Sequence, residues 1–482
     1  MSSEAVNERL LGERETDESW GLNRRIWNEM KIMWRIAFPS MLARVTSFGV
    51  LVATQSFLGH VSELDLAAFA LVQSLTIRFV NGILLGMSSA TETLCGQAYG
   101  AKQYHMMGIY LQRSWLVDLI TATITLPLFI FTTPLFRLIG QEESISVVSG
   151  KMSFLCIPFL YSYVFTLTIQ MYLQAQLKNM IVGWLSATSF ILHILLSWIF
   201  VYKLNWGIAG ALGAMNISSW ASVIGQFVYI FGGWCPETWN GFSIAAFSNM
   251  WPVIKLSISS GLMICLELWY NSILVLIAGY MKNATVAISA FSICFNICAW
   301  EFMICLGFLG AACVRVSNEL GRGNAKAAKF AIKVILGTSV SMGVLFWILC
   351  LVFGSKLSYL FTAEEEIAEA VSDLSVLLAF SILLNSIYPV LSGVAIGAGL
   401  QGTVAIVNIC CYYVIGIPLG VVLGYVSPLQ VKGLWIGMQC GVLTQTIVLS
   451  YIMWKIDWDG QVNKASERLN KWFHKPKEEQ TS

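Results

Sequence analysis

The stretch Gly232-Gly233-Trp234-Cys235-Pro236-Glu237 opens the longest polar break in the chain, roughly residues 232–252, and what flanks that break decides the fold. Ahead of it lie apolar segments at approximately 35–58, 69–90, 112–133, 150–172, 182–203 and 207–231. Behind it lie segments at 253–279, 285–310, 330–354, 372–394, 402–426 and 433–454. A helix of about 20 residues crosses the ~30 Å hydrocarbon core of a bilayer. In that core every backbone N–H and C=O must find a partner within the protein, which a helix supplies by itself. The chain is therefore expected to be an all-α integral membrane protein with twelve transmembrane helices, six on each side of the break.

Composition agrees. Of 482 residues, 57% are hydrophobic and 12% charged, whereas soluble domains carry roughly 25% charged residues. Mean hydropathy is +0.70. The net charge is only +2. No basic patch stands out in the apolar body, which argues against nucleic-acid binding. The 12 cysteines sit almost all within apolar runs, with no CxxC and no Cys/His cluster. They read as small packing residues, with no metal site. Residues 1–34 are polar and of mixed charge, and lack the pattern of a secretory signal peptide. They are expected to form a cytosolic tail.

Orientation follows from the loop charges, because lysine and arginine collect on the cytosolic side. With twelve segments, 20 of the 29 lysines and arginines fall on the side of the two termini and six on the other, with Arg44, Arg78 and Lys255 inside or at the edge of segments. Both termini are thus expected in the cytosol. The expected divisions are a tail at 1–34, a six-helix lobe at 35–231, a cytosolic linker at 232–252, a second lobe at 253–454 and a tail at 455–482.

The two halves also resemble each other. Leu66-Ala67-Ala68-Phe69-Ala70 pairs with Val286-Ala287-Ile288-Ser289-Ala290, Gly59 with Gly279, and Gly210-Ala211 with Gly433-Leu434. Gln97-Ala98-Tyr99-Gly100 likewise matches Asn318-Glu319-Leu320-Gly321. Repeats with an even number of segments insert the same way up, and transporters commonly bind substrate between such repeats.

Several stretches carry a family resemblance. The run Gly86-Met87-Ser88-Ser89-Ala90-Thr91-Glu92-Thr93-Leu94-Cys95-Gly96-Gln97-Ala98-Tyr99-Gly100-Ala101 resembles the second-helix signature of eukaryotic multidrug and toxic compound extrusion (MATE) transporters. So do Val314-Arg315-Val316-Ser317-Asn318-Glu319-Leu320-Gly321, Tyr110-Leu111-Gln112-Arg113-Ser114-Trp115, Leu173-Gln174-Ala175-Gln176 and Leu391-Ser392-Gly393-Val394-Ala395-Ile396-Gly397-Ala398-Gly399. The wording is most similar to the plant branch, the DETOXIFICATION proteins. The resemblance implies two pseudo-symmetric six-helix lobes around a central cavity, and export of substrate driven by inward proton flow.

Charge inside a bilayer is costly and therefore points to function. Glu267 lies mid-segment in Cys265-Leu266-Glu267-Leu268-Trp269-Tyr270-Asn271, with Tyr270 and Asn271 on its helical face at i+3 and i+4. A carboxyl there is a candidate proton carrier, and the resemblance puts the family's proton-linked glutamate at this position. Glu301, with Asn296 loosely on its face, is the second candidate; the resemblance places an acidic member of the C-terminal pocket here. In the tenth segment the resemblance implies an acid that partners the seventh-helix glutamate, but this chain has Asn385 there, which bonds but does not titrate and is expected, with Tyr388, to face Glu267, Tyr270 and Asn271. Tyr388 follows it and is expected to line the substrate cavity with Tyr270, Asn271 and Asn296. Pro389 is expected to kink that helix, with Gly393 and Gly397 as further hinge positions; close helix packing is the alternative for the glycines. Asp118 and His193 also fall within segments, the histidine reading as a packing residue. Gln97 to Gly100 and Arg315 to Gly321 read as cytosolic hinge loops.

The expected function is proton-coupled antiport, by alternating access, of small organic compounds such as flavonoid conjugates, alkaloids, xenobiotics or organic acids. The chain is expected to act as a monomer in the lipid bilayer, without cofactor, in the vacuolar membrane in preference to the plasma membrane. A passive anion channel of the same fold is the alternative within transport. A membrane-embedded enzyme is the alternative outside it, disfavoured because no catalytic Ser/His, paired Asp or HExxH constellation is present.

Overall fold

The computed structural model describes residues 21–278, 284–357 and 365–472. The N-terminal lobe comprises α1 (Leu22–Gly59), α2 (Glu63–Gly100), α3 (Tyr104–Ile130), α4 (Glu143–Leu155 and Ile157–Ala175, bent by 46° between the pieces), α5 (Met180–Lys203) and α6 (Gly207–Trp234). The C-terminal lobe comprises α7 (Trp251–Ala278), α8 (Ala284–Gly321), α9 (Ala325–Leu357) and α10, which is also interrupted (Glu365–Asn385 and Tyr388–Ala398). It closes with α11 (Gln401–Val426) and α12 (Gln430–Lys455), and α13 (Trp458–Trp472) follows. Among the described residues eleven helices are long and apolar enough to cross a membrane, and the bent α4 makes twelve.

Local chemistry sets the ends. Ser62 caps α2, its hydroxyl accepting from the Asp65 N–H at 3.1 Å, and Glu63 and Asp65 complement the helix dipole. Gly399 ends α10 in the left-handed region at φ +74°, as glycine allows. Pro389 sits in the first turn of the second piece of α10, where its missing N–H costs nothing. The chain breaks just ahead of it, at Ser386-Ile387.

Three features differ from the expectations. The first helix begins at Leu22, so part of the supposed tail is helical. Gln97–Gly100 and Arg315–Gly321 form no hinge loops; they are the last turns of α2 and α8. Gly393 and Gly397 lie beyond the break of α10 and meet α8. A Cβ on Gly393 would come within 2.2 Å of the Leu309 carbonyl oxygen, and one on Gly397 within 2.5 Å of that of Cys313. Their smallness allows close packing of the two backbones.

The core divides along the lobes. One buried cluster fills the C-terminal lobe with Leu266, Tyr270, Phe308, Val390 and Trp435, and Met33, Ile36 and Ala37 from the start of α1 belong to it. Two further clusters fill the N-terminal lobe, one around Phe69, Phe129 and Phe136, the other around Tyr110, Trp115 and Tyr172. All cysteines except Cys410 and Cys440 are buried, and all are free thiols.

The linker between the lobes is strapped to the N-terminal lobe. The Arg113 guanidinium donates through Nη2 to the carbonyls of Ala245 (3.1 Å) and Ser248 (2.9 Å). Gln112 donates to the Gly241 carbonyl at 3.0 Å and accepts from the Ser243 N–H at 2.9 Å. Tyr172 donates to Thr238 Oγ1 at 2.7 Å. Trp115, Trp239, Phe231 and Phe242 pack over these bonds with ring centroids 5.2–6.4 Å apart. The Gln112-Arg113 pair thus satisfies backbone groups that the irregular linker leaves unpaired.

Candidate functional site

Two acidic groups of the C-terminal lobe, Glu267 and Glu301, meet at the break in α10. Helix periodicity puts Glu267 of α7 on the face turned to α10, where Tyr388 donates its hydroxyl to Glu267 Oε1 at 2.8 Å. Glu301 of α8 is buried, and Asn385 donates to its Oε2 at 3.0 Å. The Cys305 thiol, one turn along α8, approaches Glu301 Oε1 at 2.9 Å. Asn385 ends the first piece of α10 and Tyr388 begins the second. Each carboxylate therefore holds one lip of the same break. The Tyr388 ring stacks on Phe302 at 5.9 Å, which fixes its orientation.

The expected partners sort differently from the sequence grouping. Asn385 meets Glu301, across from the glutamate it was expected to face. Tyr270 turns away from Tyr388 and Asn385: its hydroxyl donates to the Met438 carbonyl at 3.1 Å and its ring stacks on Tyr412 at 4.4 Å. Tyr270 thus packs behind the ring of Tyr412. That ring in turn begins a buried polar chain in which Tyr412 donates to Gln445 (2.6 Å), Gln445 to Asn408 (2.7 Å) and Asn408 to the Met263 carbonyl (3.1 Å). Asn296 is exposed on α8, five residues ahead of Glu301. The side chain of Asn271 lies outside the described residues.

The N-terminal lobe holds buried acids of its own. Asp118 of α3 is buried and accepts from the Ser88 hydroxyl of α2. Glu92 of α2, unremarked within its signature run, is also buried and accepts from Gln174 Nε2 at 2.8 Å. Ser40 of α1 donates to Gln174 at 2.8 Å, and Asn179 to Ser40 at 3.2 Å. Sequence reasoning missed Glu92 as a site residue; its one signal is that of an acid in an apolar run. His193 meets Thr54 at 3.1 Å within the lobe core.

Two lobes of crossing helices, related by an internal repeat and carrying buried acids beside a broken helix, define the class: a multi-pass membrane transporter of the two-lobe type. The MatE family domain matches residues 39–199 and 260–422, once in each lobe. The chain belongs to the MATE family of transporters. It is 57% identical to Protein DETOXIFICATION 24 of Arabidopsis thaliana, over 100% of this chain and 98% of that one. It is 56% identical to Protein DETOXIFICATION 25 of the same plant, over 97% and 95% of the two chains. Its fold matches the crystal structure of the eukaryotic MATE transporter AtDTX14 with a TM-score of 0.86 at 31% identity, covering 92% of this chain and 99% of that one. A multidrug resistance MATE family transporter in an outward-facing conformation shares the fold at a TM-score of 0.77 and 18% identity, over 91% and 97%. The relatives are transporters, and this chain is a transporter and not an enzyme.

Proposed function

We propose that this MATE transporter is a proton-coupled antiporter that exports small organic compounds by alternating access, with Glu267 as its principal proton carrier. The observation that carries this reading is the hydrogen bond from Tyr388, on the far lip of the α10 break, to Glu267. An ionised carboxylate only accepts, whereas a protonated one also donates. Loading Glu267 with a proton thus weakens its hold on Tyr388 and frees the second piece of α10 to move about Ser386-Ile387. Proton occupancy becomes a cavity shape. Glu301, through Asn385, steadies the opposite lip. Asn296 and Tyr388 face the substrate path, with Tyr270 supporting its wall.

Flavonoid conjugates, alkaloids, xenobiotics and organic acids are the proposed substrate classes; the planar rings of the flavonoids suit stacking beside the paired rings of Tyr388 and Phe302. The excess of lysine and arginine on the terminal side supports cytosolic termini and a cytosolic linker. Export from cytosol then runs against inward proton flow at either the vacuolar or the plasma membrane, and the vacuole is preferred. The chain works as a monomer. Uptake of a metabolite panel into vesicles, with the inside acidified and then equilibrated, tests the proposal. Coupled antiport requires uptake that collapses when a protonophore removes the gradient. Uptake independent of the gradient, accompanied by anion current, supports the passive channel instead.

A further inference from the structure

We infer that the first turns of α1, together with Arg315 of α8, form the gate on the terminal side of the transport path: a charged latch joining the lobes that must part whenever the cavity opens toward the termini. The inference rests on alternating access as proposed above, but not on which acid carries the proton.

The observations lie on a stretch that the sequence offered as a tail. Glu29 belongs to α1 and Arg315 to the opposite lobe. Arg315 donates through Nε to Glu29 Oε1 at 2.6 Å and through Nη2 to Glu29 Oε2 at 3.0 Å, the two-pronged geometry that makes arginine–carboxylate pairs directional. The same guanidinium meets Glu319 one turn along α8 at 2.9 Å, and Arg322 reaches Glu319 at 3.3 Å. Glu29, Arg315 and Glu319 are all buried. Two negative and two positive groups therefore close on themselves. Apolar contacts run alongside: Arg25 lies over the Phe330 ring at 4.8 Å, Trp34 packs edge-on to Phe308 at 5.7 Å, and Met33 and Ile36 join the core of the far lobe.

The seam beside the latch has no slack. A Cβ on Gly96 would meet Ser317 Oγ at 1.9 Å, one on Gly100 the Asn318 carbonyl oxygen at 2.0 Å, and one on Gly321 the Gln97 carbonyl oxygen at 2.1 Å. Gln97 also donates to the Gly397 carbonyl at 3.2 Å, and Thr93 to that of Ile396 at 2.7 Å. Such a seam blocks passage while closed. A buried ion pair suits a contact that opens every cycle, because its attraction is largely offset by the hydration its members lose on closing. Removing Glu29 alone is different: it leaves the buried Arg315 short of a carboxylate while the seam is closed, which favours opening. When the lobes part, Arg315 retains Glu319 on its own helix, so no cation is stranded, and Glu29 passes to water.

The test reads access to the seam. Ser317 is buried there, and a Ser317→Cys reporter, with Cys410 and Cys440 replaced by serine, is labelled by an impermeant maleimide in vesicles that present the terminal side. Glu29→Gln is expected to raise the labelling rate roughly tenfold, since loss of the pair shifts the population toward the open form. Arg315→Lys, which keeps the charge but loses the fork, is expected to give a smaller rise. The swap of Glu29→Arg with Arg315→Glu is expected to move the rate back toward the parent. All are compared at matched expression and thermal midpoint. Labelling that responds to pH gradient in the parent but is unchanged by Glu29→Gln and Arg315→Lys overturns the latch. No labelling in any variant under any gradient overturns alternating access itself.

Discussion

Two helices are broken at equivalent places in the two lobes, and their surroundings differ in one respect. The break in α4 falls at Cys156, ahead of Pro158; the break in α10 falls at Ser386-Ile387, ahead of Pro389. At α4 the loosened carbonyls are held by neutral donors of α6: Asn216 donates to the Leu155 carbonyl at 2.8 Å and the Trp220 indole N–H to that of Pro158 at 3.0 Å. At α10 the Ser386 carbonyl has a similar neutral donor, Ser339 at 2.6 Å. The side chains on its lips, Asn385 and Tyr388, reach carboxylates. Neutral donors hold their bonds whatever the pH. A carboxylate releases or reverses its bond on protonation. The comparison teaches that both lobes contain a broken helix, and that, among the described residues, the break in the C-terminal lobe is the one whose lips are held by carboxylates.

Breaking that wiring tests the difference. Tyr388→Phe keeps the ring on Phe302 but removes the donor to Glu267. Coupled flux in proteoliposomes is expected to fall roughly tenfold, since a hydrogen bond to a charged group is worth about 1.5–3 kcal/mol. A flux equal to the parent's would detach Glu267 from the bend. Glu301→Gln can still accept from Asn385, so a decrease of only about two- to fivefold is expected in the same assay. If it instead matches the loss in Tyr388→Phe, the two carboxylates share the coupling equally.

Asn385→Asp sharpens the comparison by adding a titrating group beside Glu301. Activity is expected to survive, and the flux–pH profile to move toward higher pH, because two adjacent carboxyls titrate as a pair and tend to share a proton. An unmoved profile would mean that the lip held by Glu301 takes no part in proton traffic. The smallest effect belongs to the other lobe. Asn216→Ala removes one neutral donor at the α4 break and is expected to lower stability by about 1 kcal/mol, read as a small drop in thermal midpoint. Its pH profile should overlay the parent's. A displaced profile would show that the bend of the N-terminal lobe also senses protons.

The architecture was legible because the bilayer imposes its own arithmetic on a sequence. Apolar runs of spanning length revealed the helices, and Pro389 in one of them lies just past the break in α10. Glu267 stood out because an acid in such a run has no cheap explanation. Pairings were harder to read. Glu29 looked like tail charge because its partner Arg315 lies 286 residues further along. Arg113 showed no partner at all in the sequence, since it binds backbone carbonyls of the linker, which have no side-chain signature. The exchange of partners between Asn385 and Tyr388 turns on which way each lip of a broken helix rotates, and helical spacing ceases to apply across the break. Gly393 and Gly397 carried two readings, freedom and closeness, and only the position of α8 separates them.

The central claim is that Glu267 converts proton occupancy into movement of α10. Its most direct test is Glu267→Gln reconstituted in proteoliposomes, with pH-driven flux and substrate counterflow measured on the same preparation. Gln keeps the size of Glu and still accepts from Tyr388 but cannot exchange a proton. The account predicts that pH-driven flux is lost while counterflow of labelled against unlabelled substrate persists. Undiminished pH-driven flux at matched protein density would contradict it, and would place the proton on another acid of this chain.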